Sequence, residues 1–178
     1  VETLEASFGR PGAPGWAGEV GGRVDRFPDG NEVTAAWAWL LAPVVRRPGG
    51  SLRLGYAFQS QDADETRFTP AGLYVPYYTP EELVAHSVVV AIARTPGPRW
   101  GVYFDGAWAA QAEELAPRAD PSGAIVFTER EPTLWRARLR AQGELSPRLA
   151  LQLGAEHDRA AFFEITRAFV DLTVRFPR

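Results

Sequence analysis

The 178-residue sequence contains no cysteine, no lysine and no methionine. Without cysteine, the chain has neither a disulfide framework nor a thiolate metal site. Its basic residues are all arginine, and 19 of them stand against 22 acidic residues, which gives a net charge of −3. Because a nucleic-acid-binding protein would carry a basic stripe, we expect no nucleic-acid partner. Phosphate-binding loops and metal-ligand spacings are also missing, so we expect no cofactor.

Long apolar runs are missing as well. No stretch approaches the roughly 20 consecutive apolar residues that a membrane-spanning helix requires. A membrane-spanning β-strand needs only about 9–11 residues of alternating character. The 17 glycines, 15 prolines and 21 aromatic residues (6 Trp, 5 Tyr and 10 Phe) indicate many strands and turns.

Turn signals divide the chain into runs with a period of two residues. The predicted strands are 1–8, 16–26, 32–44, 51–62, 83–94, 100–112, 135–145, 149–158 and 166–176. Residues 160–165 fit a helical turn and a strand extension equally well. The pattern predicts an all-β fold, an antiparallel up-and-down barrel of outer-membrane type with about eight long strands plus one N-terminal strand. We expect residues 1–178 to form a single β-barrel domain or a segment of a barrel, with 1–15 as the remnant strand of a preceding hairpin.

Alternation assigns the side chains of these strands to two faces. One face mixes small residues with charges of nearly balanced sign, as expected for an enclosed lumen where an unpaired ion is costly. The lumen-lining candidates are Arg53, Tyr103, Asp105, Arg136, Arg138, Arg140, Glu156, Arg167 and Asp171. The lipid-facing candidates are Trp37, Trp39, Leu52, Leu54, Tyr56, Phe58, Phe104, Trp108, Trp135, Leu139, Leu172 and Phe176.

The connections between the strands differ in length. If the last strand ends in the periplasm, the short turns at 10–15, 46–50, 95–99 and 146–147 lie on the periplasmic side. The long loops at 63–80 and 113–131 both fall on the outer side, as in bacterial outer-membrane barrels. The strand at 1–8 would then begin outside, so we expect either preceding strands or several chains in one barrel.

Three motifs resemble a known family. Residues 25–31 (Asp-Arg-Phe-Pro-Asp-Gly-Asn), 54–56 (Leu-Gly-Tyr) and 77–81 (Tyr-Tyr-Thr-Pro-Glu) are similar to the C-terminal barrel of the tetratricopeptide-repeat outer-membrane subunit of bacterial cellulose synthase. The resemblance implies a Gram-negative outer-membrane channel that exports exopolysaccharide. It also implies a lipid bilayer and polysaccharide as partners, and helical repeats in the periplasm before the barrel.

Several features keep alternatives open. The arginines of residues 136–140 fit an anion-attracting pore lining or a network of salt bridges in the lumen. The pair His157-Asp158 fits a barrel enzyme less well than a hydrogen bond at the rim, and we expect no enzyme. The first alternative function is a structural β protein that builds a multi-chain barrel or extracellular assembly. The second is a soluble lipocalin-like or β-sandwich binding module, whose own core would bury Trp37, Trp39, Leu54 and Phe104.

Overall fold

The structure, a computed structural model, describes residues 1–10, 15–69, 77–161 and 163–176. The fold is all-β, as the sequence predicted. The strands are β1 (Glu2–Arg10), β2 (Ala17–Arg26), β3 (Glu32–Arg47), β4 (Gly50–Ala63), β5 (Leu83–Gly97), β6 (Trp100–Ala119), β7 (Ile125–Arg130), β8 (Trp135–Ser146), β9 (Leu149–Arg159) and β10 (Glu164–Val174). Within these residues, no helix is long and apolar enough to cross a membrane.

The strands form one antiparallel sheet in the order β1-β2-β3-β4-β5-β6-β8-β9-β10, and β7 pairs with β6 outside this path. Each strand pairs with its neighbour in the chain apart from this single detour. In the described part of the chain, β1 and β10 are the edges of the sheet, and no pairing joins one to the other. Nine strands therefore follow one another as a meander.

Glycines with positive φ angles form three of the tight turns. Gly30, Gly49 and Gly123 have φ angles of 86°, 77° and 84°. Gly30 lies in the turn between β2 and β3, where the sequence separates the predicted strands 16–26 and 32–44, and glycine adopts this backbone conformation without a Cβ clash. Of the predicted turn at 10–15, residues 11–14 lie outside the described residues.

The prediction of a second long loop at 113–131 is wrong. β6 continues to Ala119 and turns at residues 120–124, and β7 then pairs back onto it with Ala119 opposite Ile125. This hairpin raises the number of strands from the predicted nine to ten. In the segment 160–165, the Ala160 N–H donates to the Phe163 carbonyl at 2.9 Å and β10 begins at Glu164, whereas Phe162 lies outside the described residues. Of the predicted loop at 63–80, residues 70–76 lie outside the described residues.

The strand register assigns every paired side chain to one of two faces, because directly opposite residues of an antiparallel pair point the same way. Leu54 pairs with Val90, and Phe104 pairs with both Ile92 and Leu139. We call the face that carries these residues the convex face. The opposite face carries Arg138, which pairs with Asp105 and with Glu156. We call it the concave face.

A cavity of about 880 Å³ lies against the concave face. Residues from every strand of the main path except β1 line it, from Arg23 of β2 to Arg167 of β10. A flat sheet could not bring both of these strands to one cavity, so the sheet is strongly curved. The curvature gathers the charged side chains around the cavity and turns the apolar side chains outward.

The assignment of Trp37 and Trp39 to the lipid-facing set is wrong. Trp37 pairs with Gly21 and Gln59, and Trp39 pairs with Glu19 and Ala57, all on the concave face. The convex positions of β3 hold smaller residues instead: Ala36, Ala38 and Leu40. Alternation misled the prediction here because both faces of β3 are apolar in its middle, so a large side chain does not identify the lipid-facing side.

The two ends of the sheet differ. At the end that we call the loop end lie the turn 27–31, residues 64–69 and 77–82 of the following connection, the β6–β7 hairpin, and residues 160, 161 and 163. At the other end, the turn end, lie the connections 47–50, 97–100 and 146–149. β1 and β10 both run from the loop end to the turn end, so the two edges of the sheet point in the same direction.

Candidate functional site

The concave face holds a ladder of ion pairs across β6, β8, β9 and β10. Arg138 Nε donates to Asp105 Oδ2 at 2.7 Å, and Arg167 Nη1 donates to Glu156 Oε1 at 3.1 Å. The third pair is wider, with 3.9 Å between Arg136 Nε and Asp158 Oδ1. These pairs follow the register, which sets arginines opposite acids on neighbouring strands. Of the three arginines in residues 136–140, Arg136 and Arg138 thus form salt bridges, as the network alternative expects.

The other lumen-lining candidates lie on the same face with different surroundings. Arg140 stands between Tyr103 and Gly154 in the register, and no carboxylate of the described residues lies within 4 Å of its charged nitrogens. The Tyr103 hydroxyl accepts a hydrogen bond from Gln142 Nε2 at 3.4 Å. Arg53 pairs with Ala91, and Asp171 with Gln152. The register therefore brings all nine candidates to one face.

Two tryptophans join these polar groups. Trp37 Nε1 donates to Glu19 Oε1 at 3.3 Å, and its ring covers Gly21, where an added Cβ would lie 2.5 Å from the ring. Trp39 stands opposite the small side chain of Ala57, and both tryptophans line the cavity. Sequence reasoning found Tyr103 as the clearest lumen aromatic and missed this pair. The small residues Gly21 and Ala57 across the strand were the available signal.

The convex face exposes large apolar side chains over much of its area. The exposed fractions are 43% for Leu54, 49% for Leu139, 57% for Trp108 and 60% for Leu172. The register puts five further lipid-facing candidates on this face: Leu52, Tyr56, Phe58, Phe104 and Trp135. Leu151, the register partner of Leu172, shares this face. Phe176 lies past the end of β10 and is 83% exposed.

Aromatic side chains of the convex face occur at two levels. Trp108 and Trp135 pair with each other towards the loop end, whereas Trp100 stands at the turn end of the same strand, β6. Eight residues of strand separate Trp100 from Trp108, which is about 27 Å along the strand at 3.4 Å per residue. In membrane barrels, whose strands tilt by about 40°, such a length corresponds to about 20 Å of height, and their apolar band is about 25 Å tall.

Both histidines lie on the convex face near the loop end. His157 stacks on Trp135, with ring centroids 4.3 Å apart, and its Nδ1 lies 2.8 Å from Thr166 Oγ1. His86 Nδ1 lies 2.5 Å from the Tyr56 hydroxyl. These contacts agree with hydrogen bonds at the rim. No group of three or more His, Asp or Glu side chains in the described part of the chain could hold a metal ion.

The loop end contains a polar cluster that connects distant segments. The Tyr77 hydroxyl donates to Asp29, and the Tyr77 ring stacks on Phe27 with ring centroids 3.6 Å apart. Arg67 Nη1 donates to Asp29 Oδ2 at 2.6 Å. Desolvation acts to raise the pKa of Asp29, but hydrogen bonds from Tyr77 and the Asn31 backbone N–H, with the charge of Arg67, hold it below its ordinary value. Burial and the hydrogen bond to Asp29 raise the pKa of Tyr77.

Buried polar groups complete this cluster. Asn31 donates from Nδ2 to the Glu65 carbonyl at 2.8 Å and accepts the Glu65 N–H at 3.0 Å. The fully buried Thr79 hydroxyl accepts the Arg67 N–H at 2.7 Å. Asp29 and Asn31 belong to the motif 25–31, and Tyr77 belongs to the motif 77–81. The contacts among these residues show that the two motifs form one structural unit.

A buried carboxylate holds the β6–β7 hairpin to the rest of the loop end. Glu114 is 1% exposed, and it accepts hydrogen bonds from the Tyr78 hydroxyl at 2.8 Å and from Arg130 Nε at 2.6 Å. Glu114 could not be singled out from the sequence, because its neighbour Glu113 looks the same there.

A comparison of the chain with models of known protein families finds no match, and a comparison with curated proteins finds no relative.

Proposed function

We propose that the chain forms part of the wall of a β-barrel in a bacterial outer membrane, with its convex face against lipid. The observation that carries this proposal is the division of the curved sheet into an exposed apolar convex face and a charged concave face around a cavity. Covering one large apolar side chain removes its contact with water and contributes about 1.5–3 kcal/mol, and a bilayer supplies such cover for the whole face.

The soluble binding module is the alternative that this division disfavours. Its core would have to combine Trp37 and Trp39 with Leu54 and Phe104. Trp37 and Trp39 stand on the concave face, and Leu54 and Phe104 stand on the convex face of the same sheet. Because a sheet separates the two pairs, they cannot pack into one core.

Lipid quenching of tryptophan fluorescence tests the proposal. The chain would be folded into vesicles whose acyl chains carry bromine, which quenches only tryptophans that contact the hydrocarbon. We expect strong quenching that falls in Trp108→Phe and persists in the matched control Trp37→Phe, since Trp108 stands on the convex face and Trp37 on the concave face. Equal quenching of both variants, or none in the unchanged chain, would contradict the membrane-wall proposal.

We further propose that additional strands complete this wall. β1 and β10 run in the same direction, so a second copy placed head to tail would meet the first through parallel strands. An odd number of further strands between β10 and β1 would keep every pairing antiparallel, as in known outer-membrane barrels. The multi-chain assembly remains the alternative, and it predicts a parallel contact between copies.

The finer proposal is that the passage along the concave face serves a polysaccharide, as the resemblance implies. Trp37 and Trp39 offer aromatic faces, and the ion pairs nearby leave little net charge. Aromatic faces attract the C–H groups of a sugar ring through their negative quadrupole. Block of planar-bilayer conductance by neutral oligosaccharides tests this, with Trp37→Ala/Trp39→Ala weakening the block and Trp100→Ala as the control. Equal block of the conductance in both variants would exclude Trp37 and Trp39 as contacts of the oligosaccharide.

A further inference from the structure

The turn end of the sheet is strongly basic. The three described connections at this end, with their flanking residues 45–52, 93–101 and 145–150, contain no acidic residue. They contain five arginines: Arg46, Arg47, Arg94, Arg99 and Arg148. At the loop end the balance is reversed, and the segment 113–131 alone carries five acidic residues and two arginines. The molecule therefore has charge of opposite sign at its two ends.

These five arginines differ from those of the concave face in their surroundings. All five are exposed, and no carboxylate of the described residues forms a salt bridge with any of them. In contrast, Arg138 and Arg167 of the concave face each hold an acid within 3.1 Å. A cluster of unneutralised guanidinium groups repels itself, and a bound anion would remove that repulsion.

Two of the arginines flank a glycine in one row of the sheet. Arg47 and Arg94 both pair with Gly50, one from β3 and the other from β5. Two strand spacings put their backbones about 10 Å apart. Because Gly50 has no side chain, no side chain stands between Arg47 and Arg94 in this row. This row lies on the convex face, since Arg94 also pairs with Val102.

The neighbouring row towards the middle of the sheet is wholly apolar. It contains Val45, Leu52, Ile92 and Phe104, each paired with the next across the four strands. The convex face thus changes from hydrocarbon side chains to arginine within two residues, and the exposed ring of Trp100 lies one row beyond the arginines, at the turn end. Tryptophan and arginine side chains in adjacent rows are typical of the level where hydrocarbon meets phosphate headgroups.

We propose that Arg47 and Arg94, supported by Arg99 and Arg148, bind the phosphate groups of anionic phospholipids in the leaflet at the turn end. This inference rests on the proposed membrane location of the convex face. The guanidinium group is suited to the task because it donates paired hydrogen bonds to phosphate oxygens and keeps its charge at every physiological pH. A lipid is favoured over free phosphate because the apolar row beside the arginines contacts its acyl chains.

The test compares two brominated lipids around the folded full-length chain. Tryptophan quenching gives the association constant of brominated phosphatidylglycerol relative to brominated phosphatidylcholine. We expect a preference for phosphatidylglycerol that weakens with added salt. Each arginine near an anionic surface contributes a factor of about five, so Arg47→Gln/Arg94→Gln lowers the preference by about 25-fold. The matched control, Arg118→Gln/Arg159→Gln, removes the same charge at the loop end and leaves the preference unchanged.

Each result decides between the alternatives. No preference in the unchanged chain, or an equal loss in both double variants, would overturn the headgroup site. Loss of the preference on adding inorganic phosphate, at an ionic strength matched with chloride, would assign the arginines to a free anion and also overturn it. Absence of quenching by either lipid would instead remove the membrane-wall proposal, and this inference with it.

Discussion

The hydroxyl of Tyr77 donates to both carboxylate oxygens of Asp29, at 2.9 and 3.1 Å, across 48 positions of sequence. This contact fastens the turn between β2 and β3 to the segment that enters β5. Both residues belong to motifs that the sequence analysis quoted for a family resemblance. In this chain, the contact between the two residues holds the loop end together.

Removal of the Tyr77 hydroxyl should loosen the turn without disturbing the ring stack. In Tyr77→Phe the aromatic ring still stacks on Phe27, while Asp29 keeps only Arg67 and backbone donors. We expect faster hydrogen exchange at the amides of Gly30 and Asn31, measured by mass spectrometry or NMR. The amide of Ala141, in the middle of β8, serves as the internal control. Unchanged exchange at the turn would show that the hydroxyl contributes nothing there.

Acid should loosen the same turn. The folded pKa of Asp29 lies below its unfolded value, so its contribution to stability is complete above the unfolded pKa, near 3.9, and is lost as pH falls through the folded pKa. We expect the difference in thermal stability between the unchanged chain and Asp29→Asn to shrink as the pH is lowered from 6 to about 3. A stability difference that stays constant over this pH range would contradict a lowered pKa of Asp29 in the folded chain.

Glu114 offers a comparison with its own neighbour. Glu114→Gln removes the charge that holds Arg130 and Tyr78, and loss of one partner of a buried charged contact costs about 2–3 kcal/mol. Glu113 is exposed, so Glu113→Gln should change stability by less than about 0.5 kcal/mol. Urea unfolding of both variants, folded in the same lipid or detergent, measures the two values. Equal values would exclude a special role for the buried carboxylate.

Alternation in sequence predicted the sheet well wherever apolar and polar residues truly alternate. In β4 and β8 the large apolar residues stand against arginine, glutamine and glycine, and the predicted faces of Leu54 and Arg138 agree with the register. In β3 both faces are apolar, so the faces of Trp37 and Trp39 depended on the small partners Gly21 and Ala57. Those partners become visible only when the pairing of strands is known.

The polar contacts of the loop end were beyond sequence reasoning for a different reason. Glu114 meets Tyr78 and Arg130 only because the chain turns back at residues 120–124, in a segment that the sequence indicated as a loop. A short hairpin rich in charge lacks the apolar periodicity that marks a strand. The basic turn end could have been found from the sequence once strand order was known, because every arginine in it lies at a turn.

Gly55 lies where the backbones of β3 and β4 approach closely. A Cβ added there would clash with the Leu40 carbonyl oxygen, so Gly55→Ala must distort the hydrogen-bonded ladder. We expect a loss of at least about 2 kcal/mol in unfolding free energy. At Gly22 the nearest atom to such a Cβ is 3.5 Å away, so Gly22→Ala should be neutral or slightly stabilising. If Gly55→Ala lowered the unfolding free energy no more than Gly22→Ala, the close approach of the two backbones at Gly55 would be contradicted.

The open edges of the sheet can be tested with engineered disulfides, because the chain has no cysteine of its own. Thr3 of β1 and Ile165 of β10 both lie near the loop end and on the concave face, on edges that run in the same direction. If further strands separate these edges, Thr3→Cys/Ile165→Cys should form no disulfide within one chain, since the Cα atoms must approach to about 7 Å or less. The control, Thr3→Cys/Asp25→Cys, joins direct register partners and should oxidise readily. Oxidation of the edge pair within one chain would mean that nine strands close through a parallel seam. Oxidation between chains would favour a multi-chain barrel.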